Sequence, residues 1–173
     1  MDNALNYYND KKLLITGCCG SVGKGIINYF TNLPHLNIEI LGIDNDEAGI
    51  FNIDQQYRHA SNVSFRLCDI KNLDTLKKMF GGVNCVIHTA ALKHVWINEF
   101  SPSETITNNI TGLQNILDLC DSEGIERFLF TSSDKAVNPT NVMGATKLLG
   151  ERLVTAANSW PSTNCIYTST RFG

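Results

Sequence analysis

Two short segments of the chain gather side chains able to move protons. Ser132-Ser133-Asp134-Lys135 follows the apolar run Phe128 to Phe130, and Met143-Gly144-Ala145-Thr146-Lys147 sits in the helical pattern that comes next. Adjacent Asp134 and Lys135 supply an acid and a base. Met143 and Lys147 are four residues apart and share one helix face, which aims Lys147 back towards the mouth of a sheet, where its charge would lower the pKa of neighbouring acids. A surface ion pair on a loop is the other reading of Asp134 and Lys135.

A third segment says what those groups would work beside. Residues 11–25 read as a buried strand, Leu13 to Ile15, then Gly17, Gly20 and Gly23 at three-residue intervals, then a helical pattern beginning at Ile26 and Ile27. A strand, glycine turn and helix bring backbone N–H groups and a helix N-terminus to a pyrophosphate, because no Cβ blocks the approach and the helix dipole favours negative charge. The next apolar run, Ile38 to Ile43, ends in Asp44, about 20 residues beyond the last glycine, where an acid can accept hydrogen bonds from a ribose. Asp44 would repel a 2′-phosphate, so NAD is expected over NADP; alternatively Asp44, Asn45 and Asp46 cap the next helix. A P-loop is excluded: Gly25 follows Gly23-Lys24 where Ser or Thr is required, and Cys18 stands where the first glycine should be. Lys147 beside such a dinucleotide can hydrogen-bond its ribose.

The elements that must position these residues alternate regularly. Strands are expected at Leu13–Ile15, Ile38–Ile43, Val63–Leu67, Cys85–His88, Phe128–Phe130 and Cys165–Thr168. Helical stripes lie at Leu73, Leu76, Met79 and Phe80, from about Pro102 to Asp121, and from about Val142 to Asn158. Such alternation implies an α/β fold, a Rossmann-type doubly wound parallel sheet of order 3-2-1-4-5-6 with helices on both faces. Its carboxyl rim would carry Gly17 to Gly23, Asp44, Asp69, Ala90-Ala91 and Ser132 to Lys135. Small Ala90 and Ala91 either let a cofactor approach or serve ordinary packing.

With 173 residues, 43% of them hydrophobic and 18% charged, the chain suits one domain with a substantial core. We divide it into an N-terminal extension, 1–10, and a dinucleotide-binding domain, 11–173. A net charge of −3 offers no basic stripe for nucleic acid or an anionic membrane. No apolar run approaches the roughly 20 residues that span a bilayer, and the polar N-terminus lacks a signal-peptide core. Six cysteines without a Cys-x-x-Cys spacing point to reduced thiols in a cytoplasmic protein, with no metal site expected. Cys18 and Cys19 lie in the glycine turn, where a helix N-terminus can lower a thiol pKa, or where packing alone places them.

Three stretches carry a family resemblance: Ile15 to Gly23 (Ile-Thr-Gly-Cys-Cys-Gly-Ser-Val-Gly), His88 to Val95 (His-Thr-Ala-Ala-Leu-Lys-His-Val) and the run Ser132 to Lys147. In them the chain resembles the extended short-chain dehydrogenase/reductases, and within those the nucleotide-sugar 4,6-dehydratases of polysaccharide and glycan biosynthesis, which act on UDP-N-acetylglucosamine. The resemblance implies a bound NAD held by Gly17, Cys19, Gly20, Ser21, Val22, Gly23, Asp44, Asp69, Ile70, Thr89, Ala90, Ala91, Lys93 and Lys147, with Asn109 as the structural asparagine of the central helix. It implies transient oxidation at sugar carbon 4. Lys135 would then take the carbon-5 proton, Asp134 would protonate the departing carbon-6 hydroxyl, and Ser133 would hold the oxygen at carbon 4. Met143 stands where most of the superfamily has the tyrosine of Tyr-x-x-x-Lys, so the carbon-4 base would be Asp134, Lys135 or a water. The resemblance further implies a UDP-sugar partner and a smaller substrate lobe beyond Thr170 to Gly173. This chain is expected to lack most of that lobe, leaving a homo-oligomer or a separate C-terminal lobe as partners. A UDP-sugar 4-epimerase and an inactive NAD-binding fragment are the alternative readings.

Overall fold

The computed structural model describes residues 3–162 and 164–173; Met1 and Asp2 of the expected extension lie outside the described residues. Among the described residues six parallel strands form one sheet: β1 (Lys11–Thr16), β2 (Ile38–Asp44), β3 (Val63–Leu67), β4 (Cys85–His88), β5 (Arg127–Ser133) and β6 (Ile166–Phe172). Their order, β3-β2-β1-β4-β5-β6, is the one expected from the alternation of elements. The central strands are apolar on both faces because helices cover both. Leu13, Ile15, Ile38, Ile40, Cys85 and Ile87 meet Ile27 and Phe30 of α2 (Ser21–Thr31) and Ile53 of α3 (Glu47–Tyr57). Leu14, Leu41, Val86, Phe128 and Phe130 meet the other layer, built from α4 (Leu73–Lys78), α7 (Gly112–Ser122) and α8 (Val142–Ala157).

Short polar side chains start these helices where the strands release the chain. Asp46, Asn72 and Asn141 each accept the backbone N–H of the residue three on, a cap worth about 1 kcal/mol. At the far end of the sheet, α1 (Asn3–Asn6) leads to Tyr7, whose hydroxyl donates to Glu126 at 2.8 Å, and Tyr8, whose ring meets Phe30 edge-on. Tyr7 and Tyr8 therefore pack onto the sheet and α2.

The long helical region expected from about 102 to 121 is continuously helical from Pro102 to Ser122, with one irregular turn inside it. An extra short helix, α5 (Val95–Phe100), precedes α6 (Pro102–Ile106), and a π-helical turn, Thr107–Thr111, joins α6 to α7. That turn buries Asn108 and Asn109. The Asn109 amide accepts from Leu92 N at 2.8 Å, donates to Leu92 O at 3.0 Å and donates to Thr146 Oγ1 at 3.1 Å. One side chain thus ties the segment after β4 to α8. Replacing it by an apolar side chain of the same size strands the Leu92 N–H and the buried Asn108 amide, which both donate to Asn109 Oδ1, while Leu92 O keeps the Asn98 amide as a donor. Asn109→Leu is expected to lower stability by about 2–3 kcal/mol, read as a lower urea midpoint with an unchanged slope.

Candidate active site

The carboxyl rim holds one long trough made of two joined hollows, each about 270 Å³. The first lies over β1 and β2 and is bounded by Gly17, Cys19, Asp44, Ile70, Ala90 and Asn108. The second lies over β4 and β5 and is bounded by Ser21, Val22, Ser133, Lys135, Met143 and Lys147. Both share Gly20, Thr89, Ala91 and Lys93, so the two hollows adjoin beside the start of α2.

The glycine turn borders that junction. Gly17 has φ +71°, and a Cβ there would stand 2.6 Å from Ala90 N; a Cβ on Gly23 would stand 2.5 Å from Gly17 O. Gly20 begins α2 in an extended conformation and caps it with no side chain, which leaves the first-turn N–H groups to an anion. Opposite them, Thr89 Oγ1 donates to Thr16 O at 2.7 Å, fixing the end of β4 against β1. Below this joint, His88 is stacked on Phe130 and shares a 2.6 Å hydrogen bond with Thr16. Burial and the nearby Lys147 charge lower its pKa to about 3, so the imidazole is neutral.

At the first end the structure separates the two readings of the acidic run. Asp46 is the helix cap, with Oδ1 3.0 Å from Gly49 N. The Asp44 carboxylate instead accepts from Cys19 N at 2.9 Å and from Asp46 N at 3.1 Å, and lines the trough. Burial raises the Cys18 and Cys19 thiol pKa values, Cys19 to about 11, with Asp44 adding to both, so the helix N-terminus does not activate them.

The other end carries the proton-transfer candidates. Ser133 Oγ donates to Asp134 Oδ1 at 2.8 Å, and Lys135 Nζ reaches the same oxygen at 3.2 Å. These donors hold the exposed Asp134 carboxyl below its ordinary pKa. Ser133 and Lys135 face the trough; Asp134 is solvent-exposed beside it. Met143 and Lys147 share the face of α8 that closes the floor, and both are buried. Lys147 Nζ donates to Thr131 O at 2.8 Å and lies 4.6 Å from the centre of the Phe130 ring. Burial lowers its pKa to about 8, against an opposing pull from Glu151.

Most residues singled out from the sequence thus meet along this trough, but not all. Asp69 turns to Lys71, accepting its backbone N–H at 2.9 Å, and borders an adjoining hollow instead. Burial would raise the Asp69 pKa, and the Lys71 contacts outweigh it. Asn109 stands behind the wall as a brace. Asn45, read from the sequence only as part of a helix cap, borders the trough, and Cys68, Asn108 and Phe172 border it without having been singled out. Asn108 was within reach of sequence reasoning as the neighbour of Asn109, whereas nothing in the pattern marked the others.

A family profile described as polysaccharide biosynthesis protein matches residues 13–173. The chain belongs to that family. Among its relatives is an uncharacterized membrane protein of Methanocaldococcus jannaschii, 40% identical over 153 residues, covering 88% of this chain and 45% of the relative. Another is a UDP-N-acetylglucosamine 4,6-dehydratase (inverting) of Campylobacter jejuni, 36% identical over 166 residues, covering 96% of this chain and 48% of the relative. Among solved structures, Pen from Bacillus thuringiensis superposes with a TM-score of 0.91 at 35% identity, over 96% of this chain and 51% of that one. The chain therefore spans about half the length of the curated relatives it matches. Among the described residues no helix is long and apolar enough to cross a membrane.

Lys147 offers a direct check on the buried end of the site. Its folded pKa of about 8 lies below the ordinary 10.5, so between those values the unfolded chain binds more protons and the lysine's contribution to stability grows with pH. The advantage of Lys147→Met over the parent should shrink by about 3 kcal/mol between pH 8 and 10.5. Denaturation curves of the pair measure this difference, which cancels the opposing titration of buried thiols and tyrosines.

Proposed function

We propose that this chain forms the cofactor half, and carries the acid–base residues, of a nucleotide-sugar 4,6-dehydratase acting on a UDP-N-acetylglucosamine-type substrate. One observation carries the reading: the Ser133–Asp134–Lys135 hydrogen-bonded set lies at one end of a trough whose other end is the glycine turn bounded by Asp44. The 36% identity with the Campylobacter dehydratase supports it.

The residues fit a nicotinamide dinucleotide, because without Cβ atoms on Gly17 and Gly23 the turn packs directly on Ala90 and on itself, and the side-chain-free start of α2 at Gly20 faces the trough. Gly20, Ser21 and Val22 would hold its diphosphate at the start of α2. Asp44, fixed by two backbone N–H groups, would accept from the adenosine ribose and favour NAD over NADP. Ile70, Ala90, Ala91 and Lys93 would line its path, with Thr89 bracing the passage. When bound, the nicotinamide supplies reversible hydride acceptance from carbon 4 of the sugar. A carbonyl at carbon 4 acidifies the carbon-5 proton, which Lys135 Nζ would remove. Asp134 would give a proton to the carbon-6 hydroxyl as it leaves, and Ser133 Oγ would hold the oxygen at carbon 4. Met143 carries no ionisable group, so it would contribute shape above Lys147 and no proton.

Two substitutions test the two ends separately. Asp44→Arg should shift the NAD-to-NADP affinity ratio towards NADP by roughly tenfold or more, about 1.4 kcal/mol, in a fluorescence titration; an unchanged ratio would remove Asp44 from the ribose. With UDP-N-acetylglucosamine and NAD, dehydration appears as the loss of one water in the product mass, whereas epimerisation leaves the mass unchanged. Lys135→Ala should cut deuterium exchange at carbon 5 by about a hundredfold or more while NAD still binds. Loss of NAD binding in that variant would make Lys135 a structural residue.

A further inference from the structure

The turn that passes under the trough carries two adjacent thiols that the dehydratase chemistry does not use. Cys18 Sγ and Cys19 Sγ are 4.0 Å apart. With an Asp44 carboxylate oxygen they form a set of three ligand atoms, all within 4.8 Å of one another. Two glycines make the room: a Cβ on Gly42 would stand 2.9 Å from Cys18 Cβ, and a Cβ on Gly49 2.9 Å from Cys19 Cβ.

The spacing distinguishes what the pair can do. Neighbouring residues have Cα atoms about 3.8 Å apart, short of the roughly 4.4–6.8 Å that an ordinary disulfide needs, and the sulfurs would have to close to about 2.05 Å. Two thiolates on one tetrahedral ion, with bonds of about 2.3 Å, sit about 3.8 Å apart, close to the separation already present. Each carboxylate oxygen has two lone pairs, so Asp44 Oδ2 can keep its bond from Cys19 N and still reach an ion after a shift of about an ångström. Thiolate ligands select soft or borderline cations over magnesium or calcium.

We propose that Cys18, Cys19 and Asp44 form a binding site for a thiophilic divalent cation of the zinc and cadmium class, and that occupation of this site competes with the dinucleotide for Asp44. Binding replaces two S–H bonds with two sulfur–metal bonds, and both protons pass to solvent; nothing is oxidised or reduced. Three protein ligands leave one position of a tetrahedral ion for water. The competition rests on the reading of Asp44 under Proposed function; the cation site does not.

Cadmium titrated into the reduced protein in a phosphine reductant provides the test, read by thiolate-to-cadmium absorption in the ultraviolet. One equivalent should saturate the signal, zinc should displace it, and magnesium should not. Cys19→Ser, at a half-buried position, should weaken binding by more than about tenfold, a loss that even changes outside the ligand shell can cause. Cys18→Ser should do the same, with circular dichroism confirming that each variant is folded. Cys68→Ser, at another trough cysteine, should leave the titration unchanged. Absent absorption at one equivalent, or a signal that survives Cys19→Ser, overturns the site. Saturating NAD should raise the apparent cadmium Kd, and an unmoved Kd in protein that binds NAD overturns the competition. A protein that takes up no NAD refutes the dinucleotide reading instead, while the cysteine variants still decide the cation site.

Discussion

The arrangement depends on one close approach: the backbone of the β1–α2 turn against the backbone at the end of β4. Gly17 at φ +71° stands where any Cβ would press on Ala90 N and Cα. Thr89 Oγ1 holds the same joint by donating to Thr16 O and Gly17 O. That contact decides how low the turn lies. The two hollows adjoin at Gly20, where the start of α2 borders the trough. Beneath it, the 2.6 Å Thr16–His88 hydrogen bond ties the two strands inside the core. A charged imidazole there would be buried without a counter-charge, and burial together with the Lys147 charge keeps it neutral.

The frame of the molecule was legible because it follows from local chemistry. Apolar runs of strand length, with glycine or polar residues at their carboxyl ends, can only be buried between helical layers, and β2, β3 and β4 end within a residue of where the pattern places them. Less legible were features that need two distant segments to meet. Asp44 and Asp46 look alike in sequence; only the position of Cys19 N, brought in by the glycine turn, makes one a rim carboxylate and the other a cap. The π-helical turn at Thr107–Thr111 shifts the buried face, exposing Ile106 and burying Asn108 and Asn109, a shift that the apolar periodicity of the sequence does not show. Helix α5 is short, with Trp96, Ile97 and Phe100 all exposed, and shows no stripe to read. Asp69 follows β3 at the carboxyl rim, as expected, but the Lys71 backbone N–H and ammonium turn it away from the trough.

The same distinction explains the cation site. Zinc motifs are legible when several ligands sit at short fixed spacings. Here two ligands are adjacent, and the third comes from a different strand, the neighbour of β1 in the sheet. Only the parallel pairing of β1 with β2, which brings the ends of both strands to the same rim, assembles the set.

Lys147 and Asp134 show how differently burial acts on two charges of one site. Lys147 is covered by the sheet and α8, so its ammonium already has a lowered pKa and a fixed acceptor in Thr131 O. Asp134 lies in water beside the trough, and its hydrogen bonds to Ser133 and Lys135 favour the ionised form. A carboxyl that must donate a proton needs the opposite environment, in which desolvation raises its pKa. The Ser133–Asp134–Lys135 set is an ion pair at rest, and on the proposed reading it would become an acid–base pair only under a cover that excludes water. A bound sugar ring with the polypeptide that grips it would supply such a cover. The energy of gripping the remote nucleotide could then drive the proton redistribution that the chemical step requires.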